Sequence, residues 1–132
     1  MATFTKLLLS GSTDGRSIMI AATATPGTIV HTGPTDPTTI DEIWLYGVGS
    51  SGTDMPVTLE WGGVTAPDDH IEYTVTSQTG LHLLAPGIPL KGNATPLIVR
   101  AFTNGASHVN LYGYVNRICL LYTSPSPRDL ST

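Results

Sequence analysis

Apolar residues in this chain recur in short alternating runs bounded by Gly, Pro, Thr and Asp. The clearest run is 57–61, where Val57, Leu59 and Trp61 alternate with Thr58 and Glu60. Residues 71–76 repeat the pattern, with Ile71, Tyr73 and Val75 set against Glu72 and Thr74. A period of two marks a half-buried strand, so each apolar set is expected to face a core and each polar set solvent. Residues 40–48 differ. Ile43 and Leu45 fall on one side and Trp44 and Tyr46 on the other, the pattern of a strand covered on both faces. Further strands are expected at 3–9, with Phe4 and the Leu7-Leu8-Leu9 run as packing residues, and at 17–25, 28–31, 81–85, 97–102 and 109–118. Turn chemistry separates them at Ser12-Thr13-Asp14-Gly15, Pro26-Gly27 and 33–37. Asn104-Gly105 predicts a hairpin between the last two strands.

No window holds a helical period, and strands spaced by roughly 8–12 residues predict an all-β chain. The expected fold is a two-sheet antiparallel β-sandwich of eight or nine short strands, jelly-roll-like in its connections. Ile43, Leu45, Leu59, Trp61, Ile71, Tyr73, Val99 and Leu111 are the expected core between the sheets.

Length and composition narrow the function classes. The 132 residues suffice for one core and one domain. A 40% hydrophobic, 12% charged chain is a folded one with a sparsely charged surface. Net charge is −4, and Lys6, Arg16, Lys91, Arg100 and Arg117 are scattered singly, so no nucleic-acid partner is expected. The opening three-Leu run is too short for an export signal, and nothing approaches a membrane span, so no membrane partner is expected. One cysteine excludes a disulfide framework.

Several motifs have plain structural explanations. Gly47-Val48-Gly49-Ser50-Ser51-Gly52 fits a dinucleotide fingerprint, but a strand rather than a helix is expected after it, so a hairpin loop is the better reading. Asp41-Glu42 and Asp68-Asp69-His70 are the acidic clusters. The latter, after Pro67, reads as a turn whose carboxylates accept from nearby amides. His31, His70, His82 and His108 lack zinc-site spacing. No nucleophile elbow occurs. No enzyme activity, cofactor or metal is therefore expected. The aromatics are more telling: Tyr112 and Tyr114 share one strand face with Asn110 and Asn116. That mixture of rings and amides suits a contact surface for protein or glycan.

The stretches FTKLLLSGSTDGR, IDEIWLYGVGSSGTD, VTLEWGGVTAPDDHIEYTV and LIVRAFTNGASHVNLYGYVNRI, in this order, resemble small proteins encoded by tailed bacteriophages, many assembled from marine metagenomes. The resemblance spans residues 1–118, which are expected to form the sandwich domain. It implies a virion structural protein made in the host cytoplasm, such as a capsid decoration, head–tail or fibre-associated subunit. Its expected partners are its own copies and other virion proteins. The resemblance carries no site residues. Residues 119–129, CLLYTSPSPRD, separately resemble a translated sequencing adapter, so 119–132 is expected to be a non-native tail. Removing it takes away the cysteine but leaves the charge at −4, because Arg128 and Asp129 cancel. The alternative function is a carbohydrate- or host-surface-binding module. An exposed row of Trp44, Tyr46, Tyr112 or Tyr114 favours that module, and burial of the row favours the subunit.

Overall fold

A computed structural model describes residues 2–120. They form β1 (Ala2–Leu8), β2 (Ile18–Met19), β3 (Thr28–Thr32), β4 (Thr39–Gly49), β5 (Met55–Trp61), β6 (His70–Val75), β7 (His82–Lys91), β8 (Ile98–Thr103) and β9 (Val109–Leu120), with no helix among the described residues. The larger sheet runs β1-β9-β4-β7, with β2 also on β9, and the smaller runs β3-β8-β5-β6. Every strand pairing is antiparallel. The chain changes sheet at almost every connection, and β5–β6 is the hairpin. This is the nested Greek-key path of a jelly roll, as the strand spacing predicted.

The longest ladder joins β4 to β9, in unbroken register from Thr39↔Cys119 to Gly49↔Val109. Both strands alternate along it. Ile43, Leu45, Leu111 and Val115 point inward and are fully buried. From the smaller sheet Val57, Leu59, Val75, Val99 and Ala101 meet them. Gly47 has no side chain because Leu84 and Val75 fill the space a Cβ would need, and Gly49 likewise faces Val75. The glycine-rich stretch is therefore strand followed by loop, and β5 follows it.

Five of the eight expected core residues are buried: Ile43, Leu45, Leu59, Val99 and Leu111. Trp61 and Ile71 pack against the core while half-buried. Tyr73 is a correction. It is 40% exposed, because β6 is an edge strand and its middle overhangs the rim of the opposite sheet. The Tyr73 hydroxyl sits 3.4 Å from His82 Nδ1 instead. Phe4 and Leu8 are also corrected: they lie on the outer face and stay 72% and 54% exposed, while Leu9 alone of that run is fully buried.

Three further expectations change. Asn104-Gly105 is not a hairpin turn, because both edges of β8 are taken by β3 and β5, and the chain crosses to the other sheet. The crossing is held by Thr103 Oγ1 donating to Gly105 O (2.6 Å) and Ser107 N donating to Ile20 O (2.9 Å). The strand expected at 17–25 shrinks to two residues, since the Ala21 and Ala22 amides donate to Thr28 Oγ1 rather than to a ladder. The released loop then covers Glu60, which points away from the core, yet is fully buried. Glu60 Oε1 accepts from Gly27 N (2.7 Å) and Oε2 from Thr25 Oγ1 (2.5 Å). Finally, β9 continues past the expected boundary at residue 118. Cys119 pairs with Thr3 and Thr39, and Leu120 with Ala2. Backbone pairing of this kind does not depend on side-chain identity. The remaining tail, 121–132, lies outside the described residues.

Leu45→Ala should destabilise the domain by about 2–5 kcal/mol, as for other emptied core leucine sites. Tyr73→Ala should change stability by less than about 1 kcal/mol. Urea unfolding of both variants checks the register, since a reversed order of losses would mean the strands present their other faces.

Candidate functional site

Two polar arrangements and one apolar face were candidates for chemistry. The first is buried. Asp41 lies on the inward side of β4 in line with Ile43 and Leu45, and is fully buried. Arg117, its partner across the ladder, donates Nε to Oδ1 (2.7 Å) and Nη2 to Oδ2 (2.9 Å). His31 reaches the same carboxylate from the smaller sheet, with Nε2 2.7 Å from Oδ2. The Ser10 amide donates to His31 Nδ1 (3.0 Å), which sets the tautomer: Nε2 carries the proton and donates to Asp41. A bulge between Ile29 and His31 makes Val30 and His31 both point inward. Burial disfavours the charged form of Asp41. The Arg117 and His31 hydrogen bonds outweigh it and hold the carboxyl below its usual value. The same contact raises Arg117. Among the described residues no hydroxyl or thiol is hydrogen-bonded to the Asp41 carboxylate or the His31 ring. It is a polar clamp between the sheets. Asp41 and Glu42 therefore form no cluster, as the pleat sends them to opposite faces.

The second arrangement lies between β5 and β6. Asp69 Oδ2 accepts from the Thr65 amide (3.0 Å), the turn role expected of that segment. His70 Nε2 lies 3.7 Å from Glu60 Oε2, beyond hydrogen-bond distance. Among the described residues no three His, Cys, Asp or Glu side chains are disposed to hold a metal ion.

The apolar face is the outer surface of the larger sheet. The β4–β9 register places Val48 opposite Asn110, Tyr46 opposite Tyr112, Trp44 opposite Tyr114 and Glu42 opposite Asn116. All four residues expected to form a contact surface thus share one outward face. Tyr112 is 38% exposed, and Asn110, Tyr114 and Asn116 are half-buried. Trp44 and Tyr114 stack with 10° between their planes and 6.2 Å between centroids. Lys6 Nζ sits 4.5 Å from the Tyr114 centroid, a cation–π contact from β1. The Trp44 indole lies over Gly87, whose φ of +71° and missing side chain leave room for it. Trp44 Nε1 and Asn116 Nδ2 both donate to Glu42 Oε1 at 3.0 Å. The Asn116 bond, then the Trp44 bond, lower the Glu42 pKa. Trp44 and Tyr114 are thus held in place by contacts within the chain.

Around this row the surface is apolar. Phe4 pairs in register with Ile118, Leu8 with Tyr114, Met19 with Asn110 and Leu83 with Tyr46, which puts all four on the same face. Each is at least 43% exposed. Leu81, 60% exposed, joins Val48, Gly80 and Tyr112 in lining a shallow depression of about 240 Å³. The smaller sheet's outer face is mixed: Thr58, Glu60, Glu72, Thr74 and Arg100 share it with Pro56, Phe102 and Ile29, the last 43% exposed. The sequence showed the aromatic part of the apolar face. It did not show the apolar margin, which is assembled from β1, β2 and the approach to β7.

No protein-family model matches the chain, and no curated protein matches it.

The clamp yields a pH-dependent expectation. The folded pKa of Asp41 lies below its unfolded value, so its stabilisation is complete above the unfolded value of about 3.9 and lost as pH falls through the folded one. Asp41→Ala should cost about 3 kcal/mol at pH 7. That is the lower end for a broken buried pair, because the Arg117 side chain is 32% exposed. The difference from the unaltered protein should narrow below about pH 4, as measured by urea unfolding across pH. A difference that stayed constant down to pH 2 would remove Asp41 as the titrating group.

Proposed function

We propose that this protein is a structural subunit of a tailed-bacteriophage particle and works by packing the outer face of its larger sheet against neighbouring protein. The observation that carries the reading is the make-up of that face. Phe4, Leu8, Met19, Leu81, Leu83 and Tyr112 stay exposed on or beside it, while the other outer face mixes Thr58, Glu72 and Thr74 with Phe102 and exposes only Ile29 among the large apolar residues that its strands place there. Exposed apolar residues gathered on one face of a small domain mark an interaction surface. The sequence resemblance to phage-encoded proteins supplies the particle, and the jelly roll supplies a rigid block that presents two unlike faces.

The exposure of Tyr112 favours the second reading, a module that binds host-surface carbohydrate through Tyr112 and Tyr114 with Asn110 and Asn116. Sugar recognition, however, combines an aromatic platform with free polar groups. Here Glu42 and Asn116 bond each other and Lys6 covers Tyr114. The surroundings are apolar, which suits the core of a protein interface better.

Mass spectrometry of purified particles should find the protein at a copy number set by particle symmetry. Its absence from intact particles would overturn the reading. On a glycan array it should show no signal that disappears in Tyr112→Ala and Tyr114→Ala. A signal lost in both would establish the carbohydrate module instead.

A further inference from the structure

The four sheet edges are not equally protected. β7 carries Pro86 and Pro89, two register shifts and a left-handed Gly87, all of which block a neighbouring strand. β3 is bulged, and its outward groups are taken: Gly11 N donates to Val30 O (3.0 Å), and Ser10 Oγ accepts from Thr32 N (2.6 Å). β6 is shorter, bears Glu72, and its exposed Tyr73 is engaged by His82. β1 has neither a Pro, a left-handed Gly nor a bulge, and its one charge, Lys6, lies over the Tyr114 ring on its own sheet. It pairs with β9 through seven successive residues without a shift, and contains no Pro or Gly. Among the described residues its backbone bonds no segment other than β9. Thr3, Phe4, Thr5 and Lys6 are all exposed. A flat, regular edge of this length is a template for another strand.

We propose that β1 pairs antiparallel with β1 of a second copy about a two-fold axis through Thr5, joining the two larger sheets into one. A strand that pairs with itself about a two-fold axis finds its own complement by symmetry, so a second copy of this chain fits the edge. Charge disfavours one register, and the pairing of Phe4 with Lys6 favours another. An axis through Lys6 would oppose the two lysines, which is unfavourable for directly facing residues. An axis through Thr5 sets Phe4 of each copy opposite Lys6 of the other, twice per dimer. Phe4, 72% exposed in the single chain, then lies beside the alkyl stem of a lysine whose ammonium sits over Tyr114, instead of water. The outer aromatic faces of the two copies become one continuous surface. The inference deepens the assembly reading by naming one contact, but rests on the edge and not on what the outer face packs against.

Sedimentation and far-UV circular dichroism of the full chain test it with two substitutions at exposed Phe4. The unaltered protein should be a dimer. Phe4→Lys places like charges opposite each other and should weaken the dimer by at least about tenfold relative to Phe4→Glu, which faces Lys6 with the opposite sign. All three proteins should show the same β spectrum. A monomeric unaltered protein, or equal dimer strength in the two variants, would overturn the edge contact. Neither outcome touches the particle-composition test above, so the two readings fail separately. Sodium chloride at high concentration should narrow the gap between the variants, and a gap insensitive to salt would also count against the register.

Discussion

The ladder between β4 and β9 is the constraint on which the rest of this protein depends. It runs for eleven paired residues without a shift, from Thr39↔Cys119 to Gly49↔Val109. It occupies the centre of the larger sheet, with β1 and β2 on one side and β7 on the other. A one-residue slip of β9 against β4 would exchange the two faces of β9. Leu111 and Val115 would go to solvent, and Tyr112 and Tyr114 would have to fit a core built for smaller side chains. The same register that makes the core therefore makes the outer aromatic row.

The Asp41 clamp acts at one end of that ladder. A carboxylate is buried there with Arg117 beside it on β9 and His31 across from it on β3. Such a group adds little net stability over a well-packed apolar one, but breaking it leaves uncompensated charge. Its consequence is positional. Asp41 meets both partners when β3 is bulged, β4 and β9 are in register, and the sheets are correctly opposed. Glu60 plays a comparable part on the far side, tying the β2–β3 connection down onto β5.

The two outer faces of the sandwich are unlike. The mixed outer face of the smaller sheet is already partly covered by the chain's own loop, which seals Glu60. The face of the larger sheet has rings anchored by Glu42 and Gly87 and a margin of exposed apolar residues. Anchored rings lose little freedom when a partner covers them, which favours binding by packing. This links the assembly reading to the β4–β9 ladder through the alternation of side chains alone.

By itself the sequence determined the fold class, the positions of most strands and the shared face of Asn110, Tyr112, Tyr114 and Asn116. All of these follow from the two-residue period of a strand, which is local. It even placed Asp41 at the inward parity of Ile43 and Leu45, although adjacency to Glu42 made the pair look like a surface cluster. The tertiary structure decided everything set by which strands meet. Tyr73 has the same parity as Leu59 yet overhangs an edge, and Glu60 has outward parity yet is sealed by a loop. Asn104-Gly105 has hairpin chemistry yet crosses between sheets, because β8 already has two neighbours. Phe4 and Leu8 read as packing residues and are exposed, because they fall on the outer face of the larger sheet, which no described segment of the chain covers. Period tells which residues share a face. Whether that face is covered depends on the number and order of its neighbours, and the local pattern carries no record of either.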